Sequence, residues 1–165
     1  MSTLETMILP CIIAPFWDVT FVVKESLVTH PFFGPVMRSR DPIVVSRVNK
    51  REDFKTVMKR GQEILVNGRS IIIFPQSTRK QEFNPEEFNS LGVKLAKAAG
   101  VQVVPIALKT DFWKNGKHLK DLGPIDRSKP IYFDFGKPFS VAGSGKVENQ
   151  KIIEFITENL KKWNQ

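Results

Sequence analysis

One segment near the middle of the chain has residue types that suit recognition of a phosphate group. It runs Phe74-Pro75-Gln76-Ser77-Thr78-Arg79-Lys80, here called the heptad, and directly follows a hydrophobic run. Thr78 and Arg79 offer a hydroxyl, a backbone N–H and a guanidinium that can bind two oxygens at once, a set suited to a phosphate monoester. A proline-containing turn with solvated charged side chains is the alternative interpretation of the same residues.

Five short runs rich in β-branched and aromatic residues predict the strands that would hold this segment. They are Val19–Val23, Pro42–Val45, Ser70–Phe74, Gln102–Leu108 and Ile131–Phe135. The first four are almost continuously hydrophobic, which is typical of strands covered by helices on both faces. The heptad then follows the end of a buried strand, where α/β proteins present ligand-binding groups on a rigid support.

Three amphipathic segments predict helices between and after the strands. They are Arg51–Val66, Glu86–Ala99 and Lys146–Trp163, each with hydrophobic residues three to four positions apart. The first two end at Asn67-Gly68 and at Gly100, because glycine readily adopts the left-handed conformation that stops a helix. Strands that alternate with helices predict one α/β domain over residues 1–165, with a mostly parallel central sheet and helices on both faces.

The composition limits the kind of protein this chain can be. With 165 residues, 41% of them hydrophobic, it can build one globular domain rather than two. Lys and Arg outnumber Asp and Glu by 25 to 17, a formal charge of +8, so we expect an anionic partner. A phosphorylated substrate and an anionic membrane surface fit this charge. Nucleic acid is disfavoured, because aromatic residues that could stack on bases, such as Phe21, Phe74 and Phe133, lie in hydrophobic runs.

The single cysteine and the hydropathy pattern bear on where the protein works. Cys11 cannot form an internal disulfide, and no Cys/His cluster suggests a metal, so we expect a reducing compartment and a Cys11 packed in the core. No segment reaches the roughly 18 apolar residues that span a bilayer, and the chain start is unlike a signal peptide. These features predict a cytoplasmic protein, peripheral on the inner face of a membrane.

The heptad resembles the Phe-Pro-Glu-Gly-Thr-Arg-Ser motif of the 1-acylglycerol-3-phosphate acyltransferase family. Further stretches resemble that family's other motifs in the same order, so that the resemblance covers essentially the whole chain. They are Phe21–Leu27 followed by Pro31–Gly34, then Pro42–Arg47, then Val104–Leu108. The sequence departs from the family at Ser46, Gln76 and Ser77, where the motifs have Asp, Glu and Gly. These departures leave open whether lysophosphatidate itself is the acceptor.

The resemblance implies an enzyme of phospholipid biosynthesis or remodelling. It would move a fatty acyl group from acyl-CoA or acyl-carrier protein to a lysolipid hydroxyl, with no metal and no other cofactor. The implied substrate-binding residues are Lys24, Arg47, Gln76, Ser77, Thr78 and Arg79. We expect the cations among them to meet the acceptor's phosphate in one crevice with Glu5. The alternative is a lipid-binding module of the same shape without catalysis.

The family's first motif, Asn-His-x-Ser-x-x-Asp, is matched only in part. Aligning Ser2 with the motif serine puts Glu5 on the motif acid and the histidine one position before Met1. The resemblance therefore implies a native start upstream of Met1, with Glu5 as the catalytic acid that orients the histidine and stabilises its cation. His30 and His118 are expected to be turn or surface residues rather than substitutes.

The segment Leu4–Trp17 is strongly apolar and contains two prolines. A helix buried in the core is the favoured interpretation. A wall of an acyl-chain tunnel, or a patch that faces a membrane, is the alternative, because each buried methylene of a lipid chain contributes about 0.8 kcal/mol.

Overall fold

The computed structural model describes residues 4–31, 34–76, 82–113, 116 and 123–165. The predicted site residues Ser77, Thr78 and Arg79, as well as His118, lie outside the described residues. The elements along the chain are α1 (Leu4–Ile13), β1 (Val19–Lys24), α2 (Glu25–Val28), α3 (Gly34–Arg38), β2 (Ile43–Val45), α4 (Lys50–Val66), β3 (Ser70–Ile72), a 3₁₀ turn (Pro85–Glu87), α5 (Leu91–Ala99), β4 (Ile106–Lys109), β5 (Tyr132–Phe135) and α6 (Lys146–Trp163).

The strands of the described residues form two sheets. β1 lies between β2 and β3 and is parallel to both, with Lys24 paired to Val45 and Phe21 paired to Ile72. β4 and β5 form a separate antiparallel pair in which Ile106 is opposite Phe135. The α/β fold predicted from the sequence is confirmed, with the refinement that the parallel part holds three strands and the last two strands pair antiparallel.

The central strand β1 is buried because its side chains meet hydrophobic residues on both faces of the sheet. Val19, Phe21 and Val23 pack in one core cluster with Leu9 of α1 and Met37 of α3. A second cluster lies on the α4 and α5 side, around Ile43, Val57, Ile64 and Leu95. The near-continuous hydrophobicity of the parallel strands reflects this double coverage.

Helix α4 begins and ends where local side-chain chemistry dictates. The Asn49 carboxamide oxygen accepts hydrogen bonds from the backbone N–H groups of Arg51 and Glu52, which caps the first turn. Gly68 follows the helix with φ +79°, and Gly100 follows α5 with φ +69°, as the glycine stops predicted. Gly61 lets α4 approach α5 closely, since an added Cβ would lie 2.6 Å from a Leu95 methyl carbon.

The predicted helix over Glu86–Ala99 is interrupted. A 3₁₀ turn at Pro85–Glu87 is separated from α5, which begins only at Leu91. Between them, the Asn89 side chain accepts a hydrogen bond from Leu91 N–H and donates one to the carbonyl of Pro75. Asn89 thus breaks the helix and ties this connection to the start of the heptad.

Helix α1 is buried along only one face. Leu9 is 1% exposed, whereas Phe16 and Trp17, just after the helix, are 72% and 63% exposed. Cys11 is exposed, so the prediction that it packs in the core was wrong. The reason is helical geometry: Cys11 lies two residues after Leu9 and therefore points about 200° away around the helix.

Candidate functional site

Glu5 is held in the interior by a residue that lies 105 positions later in the sequence. It lies in the first turn of α1 and is 1% exposed, as is Thr110, the residue directly after β4. The Thr110 hydroxyl donates a hydrogen bond of 2.8 Å to Glu5 Oε2. Burial of a carboxyl group is tolerated only with such partners, so this contact fixes the side chain that the resemblance assigns as the catalytic acid.

Lys24 and Arg47 lie at the carboxyl ends of neighbouring parallel strands. Lys24 is the last residue of β1 and is in register with Val45, the last residue of β2. Arg47 follows two residues later, and both cationic residues are exposed. Adjacent strands are about 4.8 Å apart, so the structure brings these two predicted residues close together at the carboxyl end of the parallel strands.

The backbone at Arg47 has an unusual conformation with a clear support. Arg47 has φ +62°, in the left-handed region that side chains other than glycine rarely adopt. The Asp53 carboxylate accepts hydrogen bonds from the N–H groups of Ser46 (2.9 Å) and Arg47 (2.7 Å) and from the Ser46 hydroxyl (3.1 Å). The Ser46 Oγ also accepts a bond of 3.1 Å from Val48 N–H. Sequence reasoning did not single out Asp53.

The first three residues of the heptad are described and lie just beyond β3. Gln76 is 7% exposed, and its side-chain N–H group donates a hydrogen bond of 3.4 Å to the Asn84 carbonyl. The Pro75 carbonyl accepts from the backbone N–H of Asn89 (3.3 Å) as well as from its side chain. Gln76 therefore stabilises the loop from within, where the motif glutamate would bring a charge.

A cavity of about 640 Å³ opens beside the heptad. It is lined mainly by apolar residues of α1, β3, α5, β4 and α6, and it reaches Phe74, Pro75 and Gln76. Leu9, Ile13 and Trp17 form part of its wall. The apolar start of the chain thus packs one face in the core, as the favoured interpretation expects, and it also lines this cavity. That the cavity holds an acyl chain stays a prediction.

The charges at the two ends of the parallel sheet differ. At the end where the strands begin, Arg69 pairs with Asp18 at 2.8 Å and with Asp41 at 3.5 Å, and Arg60 pairs with Asp41 at 2.8 Å. At the opposite end, Lys24 is the last residue of β1, Arg47 follows β2, and the described part of the heptad follows β3. Cations before the strands pair with carboxylates, whereas the end after the strands carries the exposed cations Lys24 and Arg47 together with the carboxylates of Glu25 and Asp53.

Glu5, Lys24, Arg47 and Arg79 were expected to converge on one crevice, and the structure places three of these four residues. Lys24 and Arg47 share one edge of the sheet, and the heptad leaves β3 at that same edge because β3 is parallel to β1. Glu5 is instead hydrogen-bonded to Thr110, directly after β4. The position of Arg79 stays a prediction.

His30 lies in the turn before α3, where its carbonyl accepts a hydrogen bond of 2.7 Å from Gly34 N–H, in agreement with the turn position predicted for it.

Comparison with models of known protein families identifies the family of this chain. The model of the acyltransferase family matches residues 2–109, which include Glu5 and the heptad. The chain therefore belongs to the acyltransferase family.

Relatives of known name point the same way. The 1-acyl-sn-glycerol-3-phosphate acyltransferase of Pseudomonas aeruginosa is 33% identical over 125 residues, covering 75% of this chain and 48% of that protein. The enzyme of the same name from Haemophilus influenzae is 29% identical over 115 residues, covering 65% and 48%. The chain spans about half the length of the curated relatives it matches.

The fold is also found in a solved structure. The crystal structure of the 1-acyl-sn-glycerophosphate acyltransferase from Thermotoga maritima superposes with a TM-score of 0.64 at 16% identity. The match covers 88% of this chain and 56% of that one. At this identity the likeness establishes the shared fold.

Proposed function

We propose that this protein transfers a fatty acyl group from the thioester of acyl-CoA or acyl-carrier protein to the hydroxyl of a phosphate-bearing lysolipid. The observation that carries the proposal is the position of Phe74, Pro75 and Gln76, which line an apolar cavity and follow β3 at the end of the sheet that also carries Lys24 and Arg47. A volume of about 640 Å³ falls within the range of roughly 300–1,000 Å³ for small-molecule sites. The cavity suits an alkyl chain, and Lys24 and Arg47 suit the phosphate.

The chemistry needs a base and no covalent intermediate. The acceptor hydroxyl oxygen attacks the thioester carbonyl, its proton passes to a histidine, and the C–S bond breaks as the thiolate leaves and takes that proton. We propose that the histidine of the family's first motif takes this proton, with Glu5 stabilising the imidazolium. Thr110 supports this role by holding one Glu5 oxygen.

We also propose that the protein works at an anionic membrane surface on the cytoplasmic side. The exposed rings of Phe16 and Trp17, whose centroids are 5.8 Å apart, supply an apolar contact, and the formal charge of +8 supplies the attraction. Within the described part of the chain, no helix has the length and apolar character needed to cross a bilayer.

The proposal is tested with a thiol-release assay on a variant that carries a histidine immediately before Met1. Acyl-CoA and acyl-carrier protein thioesters are each offered with lysolipids that share an acyl chain and differ in head group. We expect transfer to a phosphate-bearing acceptor and slower transfer to monoacylglycerol. Binding of lysolipid without transfer to any acceptor would favour the non-catalytic lipid-binding module instead.

A further inference from the structure

The turn that carries Arg47 is built around a carboxylate from the next helix. We propose that Asp53 is a positioning residue, which fixes Arg47 so that its guanidinium meets the acceptor's phosphate. This inference rests on the proposed function, and it assigns within that site a residue that does not itself touch the substrate.

Asp53 uses both of its oxygens on the same turn. Oδ1 accepts from the N–H and the hydroxyl of Ser46, and Oδ2 accepts from the N–H of Arg47 at 2.7 Å. Two successive backbone N–H groups aimed at one anion form a strong and directional arrangement. The resemblance expects an aspartate at position 46, and here the carboxylate at this turn comes from Asp53.

The turn needs this support because of its backbone. A residue other than glycine with positive φ is unfavourable by about 1 kcal/mol or more, and it persists only where surrounding contacts determine it. Arg47 at φ +62° lies just two residues beyond the last pair of β1 and β2. Without Asp53, the backbone can relax to negative φ, which redirects the Arg47 side chain away from the edge that also carries Lys24.

Asp53 is itself attached to a rigid element. It lies in the first turn of α4, a helix of 17 residues that Asn49 caps at its start. Val57 and Ile64 of the same helix are 1% and 3% exposed in the core. A side chain on such a helix can hold a binding group to within the small tolerance that recognition requires.

Asp53 also contributes to the stability of α4, because an acidic residue in the first turn interacts favourably with the helix dipole. Glu52 provides the matched control. It is the neighbouring acid in the same turn, and its side chain pairs with exposed Lys55 at 2.9 Å instead of reaching the Arg47 turn. Glu52→Gln and Asp53→Asn therefore remove the same charge from the same helix turn.

The experiment measures binding of a short-chain 1-acylglycerol-3-phosphate and of monoacylglycerol with the same chain. The proteins are the unsubstituted chain, Asp53→Asn, Glu52→Gln, Arg47→Ala and the double variant Asp53→Asn/Arg47→Ala. We expect Asp53→Asn to weaken binding of the phosphate lipid roughly tenfold and to leave monoacylglycerol unchanged. Glu52→Gln should change neither, and Asp53→Asn should have no further effect once Arg47 is alanine.

Hydrogen exchange of the Ser46 and Arg47 amides is followed in parallel, and both should exchange faster in Asp53→Asn than in Glu52→Gln. The inference alone is overturned if Arg47→Ala loses the phosphate preference while Asp53→Asn keeps it, or if Asp53→Asn weakens both lipids equally. If the unsubstituted chain binds both lipids equally, the proposed phosphate acceptor is wrong and the inference fails with it.

Discussion

The Thr110 hydroxyl donates a hydrogen bond of 2.8 Å to Glu5 Oε2 across 105 positions of sequence, and both residues are fully buried. The contact joins the first turn of α1 to the end of β4. A carboxylate held in this way keeps one oxygen fixed, which is the preorganisation that the proposed pairing of Glu5 with a histidine needs.

Removing the Thr110 hydroxyl should therefore destabilise the domain. We expect Thr110→Val, which keeps the side-chain shape, to lower the free energy of unfolding by about 1–3 kcal/mol, because a buried acceptor loses its donor. Thr110→Ser keeps the hydroxyl and should lose less. Urea unfolding of the three proteins checks this, and a Thr110→Val protein as stable as the parent would show that the bond contributes nothing.

Local patterns explain why much of the fold follows from the sequence. Helix α6 spans Lys146–Trp163 as predicted, because its hydrophobic spacing and its polar flanks agree. The strands β1, β2 and β3 lie within one or two residues of their predicted bounds, since continuous β-branched runs are buried on both faces. Lys24 and Arg47 were placed correctly at strand ends for the same reason.

The contacts between distant residues could not be predicted in this way. Hydrophobic periodicity carries no information about the pairing of Glu5 with Thr110, which depends on how α1 docks beside β4. The break before α5 depends on the hydrogen bonds of Asn89 to Pro75 and Leu91, which override a helical pattern. A polar residue directly after a buried strand, as at Thr110, is the signal that could have drawn attention to it.

The exposed aromatic pair at the end of α1 should contribute to membrane binding. We expect Phe16→Ser/Trp17→Ser to weaken binding to anionic vesicles roughly tenfold or more, because each ring buries apolar area in the bilayer interface. Val66→Ser is the control, since Val66 is 75% exposed at the end of α4. Sedimentation with vesicles at rising salt measures the affinity of the parent, the double variant and the control.

Salt should weaken the binding of all these proteins, because it screens the attraction of a +8 chain to anionic lipid. Equal partitioning to neutral and anionic vesicles would contradict the electrostatic part of this prediction. An unchanged affinity in the double variant would contradict the aromatic part.

The ion pair of Asp111 and Lys129 should make stability depend on pH near the segment after β4. Burial tends to raise the pKa of Asp111, but the hydrogen bond and charge of Lys129, with the charge of Lys109, bring it below its ordinary value. A carboxylate whose pKa is lowered in the folded state contributes stability that is fully present above its unfolded pKa of about 3.9. That stability is lost as the pH falls through the lowered value.

Lys129→Met should therefore reduce stability at pH 7 and lose that effect at an acid pH below the lowered pKa of Asp111. The effect should be modest, since the two side chains are 38% and 36% exposed and solvent screens them. Urea midpoints at the two pH values measure it, with Lys55→Met as the control for a more exposed pair. A pH-independent difference would assign the effect to packing of the lysine stem.

The last prediction concerns the catalytic base. We expect the chain that begins at Met1 to bind lysolipid and to release thiol slowly, because the resemblance assigns the base to the position before Met1. A Met-His extension should raise the transfer rate by roughly 10²–10⁴-fold, the usual contribution of general-base catalysis, and a Met-Ala extension should not. In the extended form, Glu5→Gln should lower kcat by leaving the imidazolium without its carboxylate, whereas Arg79→Ala should mainly raise KM for the acceptor. Thiol release with acyl-CoA on these proteins separates the alternatives. Equal rates with and without the added histidine would contradict its role as the base and would favour His30, in the turn before α3, as the base.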